Sequence, residues 1–524
     1  MGIAAIFRLG RAGFVLAREG VISALPKEGL SGIAAFAYRI AKLLARRQTK
    51  KQDRAENMAR AINKLGPSYI KLGQFLATRP DIVGASIAKD LTQLQDKVHT
   101  FPTKAALQKI EESLGRKVDD LFIRFDPPIA GASMAQVHPA FIKDAHNNTR
   151  KVAVKVIRPD VRARFQKDLD SFYWLARLQA RYVKNAQRLK PLEVVATFAH
   201  STKLEMDLRL EAAALSEMQE NTQNDKGFRV PRVDWERTGR DVLTMEWVDG
   251  LKLSDPEAIK EAGHDLDALA ITLIQSFLRH SLRDGFFHAD MHPGNLFVDK
   301  SGTIVAVDLG ITGRLGKKEK YFLAQILYGF ITRDYQRVAR AHFEGGYVPA
   351  YHSRAAFAQA NRAIGEPIHG QSAETISMAK LLTLLFEVTE LFDMETRPEL
   401  LLLQKTMVVV EGVARSLSPQ FNMWKAAEPV VKEWIGQNLG PAGVAKDLYE
   451  GSEAVLKLVH KTPQIIDNWQ NIQAGLLDIA QNGLTLEEKT LQKLARAKNH
   501  QKRSQTYALW LIALCLIILT IKLF

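Results

Sequence analysis

Residues 286–310 read FFHADMHPGNLFVDKSGTIVAVDLG, and no other segment constrains the chain as tightly. His288, Asp290 and Asn295 fall at the spacing H-x-D-x-x-x-x-N. Two short apolar runs follow, Leu296 to Val298 and Ile304 to Val307. The turn-like stretch Asp299 to Gly302 separates them, so the pair reads as a short hairpin. It leads to Asp308-Leu309-Gly310, a D-x-G turn.

That order is the order of a phosphotransferase catalytic loop and its metal-binding turn. Phosphoryl transfer leaves little covalent work to the protein. It needs Mg²⁺ held against the phosphates and a carboxylate near the attacking oxygen. Asp308 and Asn295 can supply oxygen ligands to Mg²⁺. Asp290 can orient a nucleophile or accept its proton. His288 braces the loop. Two other readings stand beside this one. His288, Asp290 and His292 could form a metal cluster of another kind, or the segment could be a fortuitous polar loop.

Neither alternative explains the upstream residues. Val152 to Val156 read VAVKV, the form of a strand whose lysine contacts nucleotide phosphates. Lys155 in so apolar a strand needs a partner. Before it, residues 130–138 read AGASMAQVH and occupy the place of a glycine-rich phosphate loop. Only Gly131 is a glycine there, so Ala132, Ser133, Met134 and Ala135 are the candidates to line a nucleotide. Small-residue loop, strand lysine, catalytic loop and D-x-G come in the right order for a kinase-like fold. ATP and Mg²⁺ are the cofactors expected.

The β signals sit at Val137 to Ile142, Lys151 to Ile157, Asp241 to Val248 and in the hairpin. Residues 31–122 and those from Lys317 to about His500 have helical periodicity. The expected fold is α+β. It has two protein-kinase-like lobes, an N-terminal helical extension and a C-terminal transmembrane helix. The expected boundaries are 1–122 for the extension, 123–250 for the N-lobe with inserted helices and 251–488 for the helical C-lobe. A basic linker at 489–504 and the membrane helix at 505–522 complete the plan.

Composition enters at three points. An apolar share of 46% and a charged share of 25% exclude wholesale disorder and fibrous repeats. A single cysteine, Cys515, excludes an intramolecular disulfide and a Cys-based zinc site. The formal charge of +15 favours polyanionic partners: nucleotide phosphates, nucleic acid or anionic lipid. No basic stripe with interleaved aromatics appears, so no nucleic-acid partner is expected.

From Tyr507 to Ile521 the chain carries no charge over 15 residues. A spanning helix wants about 20, with a lower limit near 17. Lys489, Lys493, Arg496, Lys498, Lys502 and Arg503 precede the run, and the positive-inside rule keeps that flank cytoplasmic. The expectation is a single-pass anchor in the bacterial inner membrane with the bulk of the chain cytoplasmic. At the other end, Arg8, Arg11 and Arg18 interrupt an apolar stretch. That is a poor match to a signal peptide and fits an interfacial helix or an ordinary packed helix. Ile6 stands where a myristoylation site needs Ser or Thr.

Taken together, these residues resemble the bacterial UbiB family, atypical kinase-like proteins of ubiquinone biosynthesis. Lys71-Leu72-Gly73-Gln74 matches the family's K-x-G-Q motif, and Glu205-Met206-Asp207 its E-x-D motif. The resemblance implies that Lys71, Gln74, Glu205 and Asp207 gate the site. It also implies that Glu211 pairs with Lys155 and that the alanine-rich loop at 130–138 replaces the glycine loop. This sequence departs from the family pattern at Gly131 and at Met134-Ala135. No A-P-E follows Gly310, and a helical pattern begins within about ten residues, leaving little room for a peptide platform.

The function implied is MgATP binding, with hydrolysis or phosphate transfer to a small or lipid-associated acceptor, in support of ubiquinone biosynthesis. The partners implied are anionic membrane lipids and ubiquinone intermediates or their biosynthetic enzymes, with a homodimer allowed. The alternatives are a protein kinase acting on a pathway partner and a nucleotide-sensing scaffold without turnover.

Overall fold

A computed structural model describes residues 2–22, 40, 42–45, 54–77, 79–83, 85–91, 94, 99–144, 146–182, 190–370, 388, 391–394 and 398–439. The chain divides into two units, Met1–Gly436 and Gln437–Phe524. Beyond Leu439 the second unit lies outside the described residues.

The first unit opens with helices. Helix α1 (Gly2–Arg18) turns Ala5, Ala12 and Ala17 inward. Helices α2 (Arg54–Leu65) and α3 (Pro67–Ala77) are separated at Gly66, whose φ of 101° suits only glycine. Pro67 then opens α3, where its missing N–H costs nothing. Met58, Ile62 and Ile70 form a small core with Val21, Leu91 and Leu94. Glu19 is buried and ties α1 to α2 through Arg60 at 3.3 Å and Lys64 at 2.6 Å.

Helix α4 (Thr103–Leu114) covers one face of a five-stranded antiparallel sheet. Its strands are β1 (Arg124–Phe125), β2 (Ala130–Gly131), β3 (Ala135–Lys143), β4 (Thr149–Ile157) and β6 (Val242–Glu246). Val152, Val154 and Val156 of β4 are fully buried against Ala106 and Ile110 of α4. Successive side chains of a strand point to opposite faces, so Ala153 and Lys155 turn away from α4. Lys155 stands opposite Val137 on β3 and Leu243 on β6. Helices α5 (Val161–Tyr182), α6 (Pro191–Glu205) and α7 (Leu208–Thr222) lie between β4 and β6 in the chain.

A second sheet has the order β5 (Phe228–Arg229), β10 (Ile304–Ala306), β9 (Leu296–Asp299), β7 (Gly250–Lys252). β10 pairs parallel with β5, and the other pairs are antiparallel. Strands β8 (Phe286–His288) and β11 (Thr312–Arg314) form a two-stranded ladder. Around them lie α8 (Leu266–Arg279), α9 (Lys317–Ile331) and α10 (Pro398–Leu417). β5, β7, β8 and β11 were not expected from the sequence. Each has three residues or fewer, too few for alternation to register.

The β8–β11 ladder depends on a close approach. Gly313 faces Phe287, and a Cβ there would lie 2.1 Å from the ring's Cζ. Phe287 is fully buried and has no room to retreat. Gly313→Ala is therefore expected to cost about 1–3 kcal/mol in urea denaturation. An unchanged midpoint would contradict this packing.

The expected fold needs one correction. Among the described residues no helix is long and apolar enough to cross a membrane. The transmembrane helix expected at 505–522 lies outside those residues, and the single-pass anchor has no support. Its uncharged core of 15 residues also falls short of the length a span needs. The fold is α+β and kinase-like, without a supported membrane-spanning element.

Candidate active site

Helix α7 buries Leu208, Glu211, Ala212, Leu215 and Met218 along one stripe, at helical spacing. A glutamate on that stripe must meet a cation. It meets Lys155: Nζ lies 2.8 Å from Glu211 Oε1 and 2.9 Å from Oε2. The same ammonium donates to Asp308 Oδ1 at 3.1 Å. Asp308 arrives there from the end of the β9–β10 hairpin. Its φ of 63° is left-handed, a region that Asp tolerates better than most residues. The neighbouring Gly310 donates its N–H to Asp308 Oδ1 at 3.3 Å.

One ammonium thus serves two carboxylates. Burial alone would lower the Lys155 pKa, but Asp308 and Glu211 outweigh it and raise it. Burial would raise Asp308. The pull of Lys155 holds it well below the usual carboxylate range, aided by Lys71. Part of the Asp308 side chain stays accessible, which moderates its burial cost. Glu211 is only 6% exposed. Burial pushes it up to about 7, against the attraction of Lys155 and with the repulsion of Asp308.

This has a consequence for pH. The folded-state pKa of Glu211 lies above its unfolded value. Its contribution to stability is complete below the unfolded pKa and is lost as pH rises through about 7. From about pH 5 to 8 the protein is expected to lose roughly 1–3 kcal/mol relative to Glu211→Gln. Urea denaturation of both proteins across that range measures it. Parallel pH profiles would contradict the assignment.

The catalytic loop is held from three sides. His288 is buried, which lowers its pKa, and its neutral Nδ1 accepts the Asp290 backbone N–H at 3.1 Å. Asn295 Nδ2 donates to the Asp290 carbonyl at 3.2 Å and to Asp290 Oδ2 at 3.3 Å. Those bonds use the amide NH₂ and leave the amide oxygen its acceptor capacity. Thr406 on α10 donates to the Ala289 carbonyl at 3.0 Å. The alternative cluster of His288, Asp290 and His292 does not form. His292 Nδ1 accepts the Gly294 N–H, and no group of three metal-binding side chains occurs among the described residues.

The small-residue loop is a closed turn. Ala132 N–H donates to the Ala135 carbonyl, and Arg158 N–H to the Met134 carbonyl, both at 2.8 Å. Ser133, Met134 and Ala135 are buried in it. Arg158 Nη2 also reaches the Ala132 carbonyl at 3.2 Å and the His99 carbonyl at 2.9 Å. Gln136, fully buried, accepts the Phe101 N–H at 2.8 Å and donates to the Phe101 carbonyl at 3.2 Å. Gln136, Arg158 and Thr406 were missed in the sequence. A polar residue just after the alanine run was the available signal for Gln136. Nothing local marks Thr406, which lies 117 residues from its partner.

Of the four expected gate residues, two meet. Lys71 Nζ lies 2.7 Å from Glu205 Oε2, with both side chains largely buried. Gln74 is half-buried one turn further along α3. Asp207 does something simpler. It caps α7 by accepting the Arg209 N–H at 3.2 Å and pairs with the Arg209 guanidinium at 2.7 Å.

Asp308, Asn295 and Asp290 offer carboxylate and amide oxygens, the donors a hard divalent cation prefers. The residues present fit Mg²⁺.

Comparison with known proteins identifies the family. The ABC1 atypical kinase-like domain matches residues 93–342, and the UbiB helical domain matches residues 361–422. A probable protein kinase UbiB of Marinobacter nauticus is 38% identical over 460 residues, covering 87% of this chain and 82% of its own. A counterpart in Histophilus somni is 35% identical over 451 residues, covering 84% and 81%. The solved Rv3197–erythromycin complex from Mycobacterium tuberculosis has a TM-score of 0.51 at 21% identity. It covers 72% of this chain and 97% of its own, a likeness of fold alone. By domain content and by identity over most of its length, this chain belongs to the UbiB family of atypical kinase-like proteins.

Proposed function

We propose that the protein binds MgATP in this cleft and hydrolyses it, or passes the phosphate to a small or lipid-associated acceptor. The work supports ubiquinone biosynthesis at an anionic membrane surface. The observation that carries the reading is Lys155 held at 2.8–3.1 Å between Glu211 and Asp308. A buried ammonium so placed is what a kinase-like site needs to hold nucleotide phosphates. Bound Mg²⁺ would neutralise phosphate charge. Asp308 and Asn295 are the residues to hold it.

The chain's own residues do the rest. Lys155 positions the phosphates, and Glu211 keeps it there. The turn at 132–135, with Ala132 its part-exposed member, borders the nucleotide. Asp290, fixed by Asn295 and the neutral His288, orients the attacking hydroxyl or water and takes its proton. The Lys71–Glu205 pair joins the helical extension to the helix before α7, and opening it would admit or release ligand.

Named relatives are probable protein kinases, which keeps a protein acceptor as a second reading. One feature weighs against it. β11 ends at Arg314 and α9 begins at Lys317, so little chain remains for a peptide-docking segment. The test is γ-labelled ATP with the full chain, with and without anionic vesicles. Label released as free phosphate or on a small acceptor supports the main reading. Label on a protein favours the second. Binding without turnover leaves a nucleotide-sensing scaffold.

A further inference from the structure

Helix α1 leaves its aromatic residues outside. Ala5, Ala12 and Ala17 are buried, and Val15 and Leu16 pack partly buried on the small core with Met58 and Ile62. Its largest side chains face solvent instead, with Phe7 74% exposed and Phe14 38% exposed. Phe7, Arg11, Phe14 and Arg18 follow at steps of four, three and four, so they share one helical face. Gly10, Arg11 and Arg18 are exposed on that face as well. An amphipathic helix packed only on its own protein does the reverse and buries its bulky residues.

The charge of this face is one-signed. Gly2–Arg18 contains no acidic residue. The next acid, Glu19, is buried and already paired with Arg60 and Lys64. The apolar surface continues onto α5. Arg8 bonds Ser171 there at 2.8 Å, and Leu175, one turn beyond Ser171, is 49% exposed. Aromatic rings flanked by arginines, with no carboxylate among them, complement an anionic bilayer surface. The rings enter the headgroup boundary, and the guanidinium groups meet phosphates.

We infer that the outward face of α1, centred on Phe7, Arg11, Phe14 and Arg18, docks the protein on anionic lipid as a peripheral contact. This deepens the membrane part of the proposed function and rests on it. It places the lipid against the helical group that carries Lys71. Tyr69, two residues before Lys71 on α3, packs edge-on against Phe172 of α5 at 5.2 Å; burial and the Asp168 carboxylate raise its pKa, against the weaker pull of Arg11 and Arg8.

The test uses the full chain with an environment-sensitive fluorophore at position 10. Gly10→Cys in a Cys515→Ser background provides the thiol, and added atoms at Gly10 meet nothing within 4 Å. Tyr351→Cys, at an exposed aromatic elsewhere, is the control site. Vesicles of phosphatidylcholine with phosphatidylglycerol should blue-shift the probe at position 10 and not at 351. Phosphatidylcholine alone should do neither. Arg11→Glu with Arg18→Glu, and separately Phe7→Ser with Phe14→Ser, should each weaken the vesicle titration roughly tenfold or more. Both pairs should melt like the parent and keep its ATP turnover without vesicles. No shift with any vesicle overturns the proposal, as does a shift that survives both pairs or appears equally at 351. A shift in a protein that turns over no ATP would leave the docking face standing and the proposed chemistry fallen.

Discussion

Asp308→Asn is expected to lower ATP turnover about a thousandfold or more. A carboxylate ligand to a catalytic cation supplies several kcal/mol of charge stabilisation, and each 1.36 kcal/mol is tenfold in rate. The substitution is mild in every other respect. Asn accepts the left-handed backbone that φ of 63° imposes about as readily as Asp. The amide can still accept from Gly310 N–H. Removing the negative charge also frees Lys155 to serve Glu211 alone. The folded protein should lose the ion pair with Lys155 and with it about 1–3 kcal/mol at neutral pH after solvent screening, yet stay folded while its turnover collapses. Phosphate release and urea denaturation, measured on one preparation, separate the two. Turnover within tenfold of the parent would show that Asp308 holds no catalytic cation.

Lys155→Met is expected to lose both stability and nucleotide binding. Methionine keeps the length of the stem and removes the ammonium that bonds both Glu211 and Asp308. Removing one partner of a buried ion pair costs about 3–5 kcal/mol, because the other charge is left without compensation. Glu211 can escape by taking a proton. Its pKa already stands at about 7 with Lys155 present, and without Lys155 it must rise. The loss should therefore be large above neutrality and smaller near pH 5. Lys155→Met combined with Glu211→Gln should recover stability above neutrality and recover no turnover. Single and double variants that denature alike at high pH would contradict the coupling.

The legible parts of this chain were those with a local period or a fixed spacing. The VAVKV run read as a strand because β4 alternates between two cores, and Lys155 stood out as a cation in it. Asp290, Asn295 and Asp308 could be singled out because the loop and hairpin between them have a constrained length. Other features depended on contacts remote in sequence. Glu211 is one of several glutamates on helices. It could be assigned to Lys155 only through family resemblance, since 56 residues separate the partners. Lys71 and Glu205 meet only after α3 packs beside α6. Asp207 was expected at the gate, and it caps α7 because its carboxylate finds the first free N–H groups of that helix. The strands β8 and β11 are three residues each, too short for alternation to register, and they pair only because Gly313 lies against Phe287. The uncharged run at Tyr507 to Ile521 misled for a related reason. The lack of charge and the basic flank before it suggested a span, but the run is too short to support one.

Equilibrium binding of ATP to the full chain, with Mg²⁺ and with EDTA, tests the central claim most directly. The parent, Lys155→Met and Asp308→Asn would be titrated by calorimetry. The cleft described here predicts saturable binding by the parent that requires Mg²⁺. Lys155→Met should weaken it about tenfold or more, since it removes a charge-assisted contact to phosphate. Asp308→Asn should abolish the dependence on Mg²⁺. Equal affinity in all three proteins, indifferent to Mg²⁺, would contradict a phosphate site at Lys155 and Asp308.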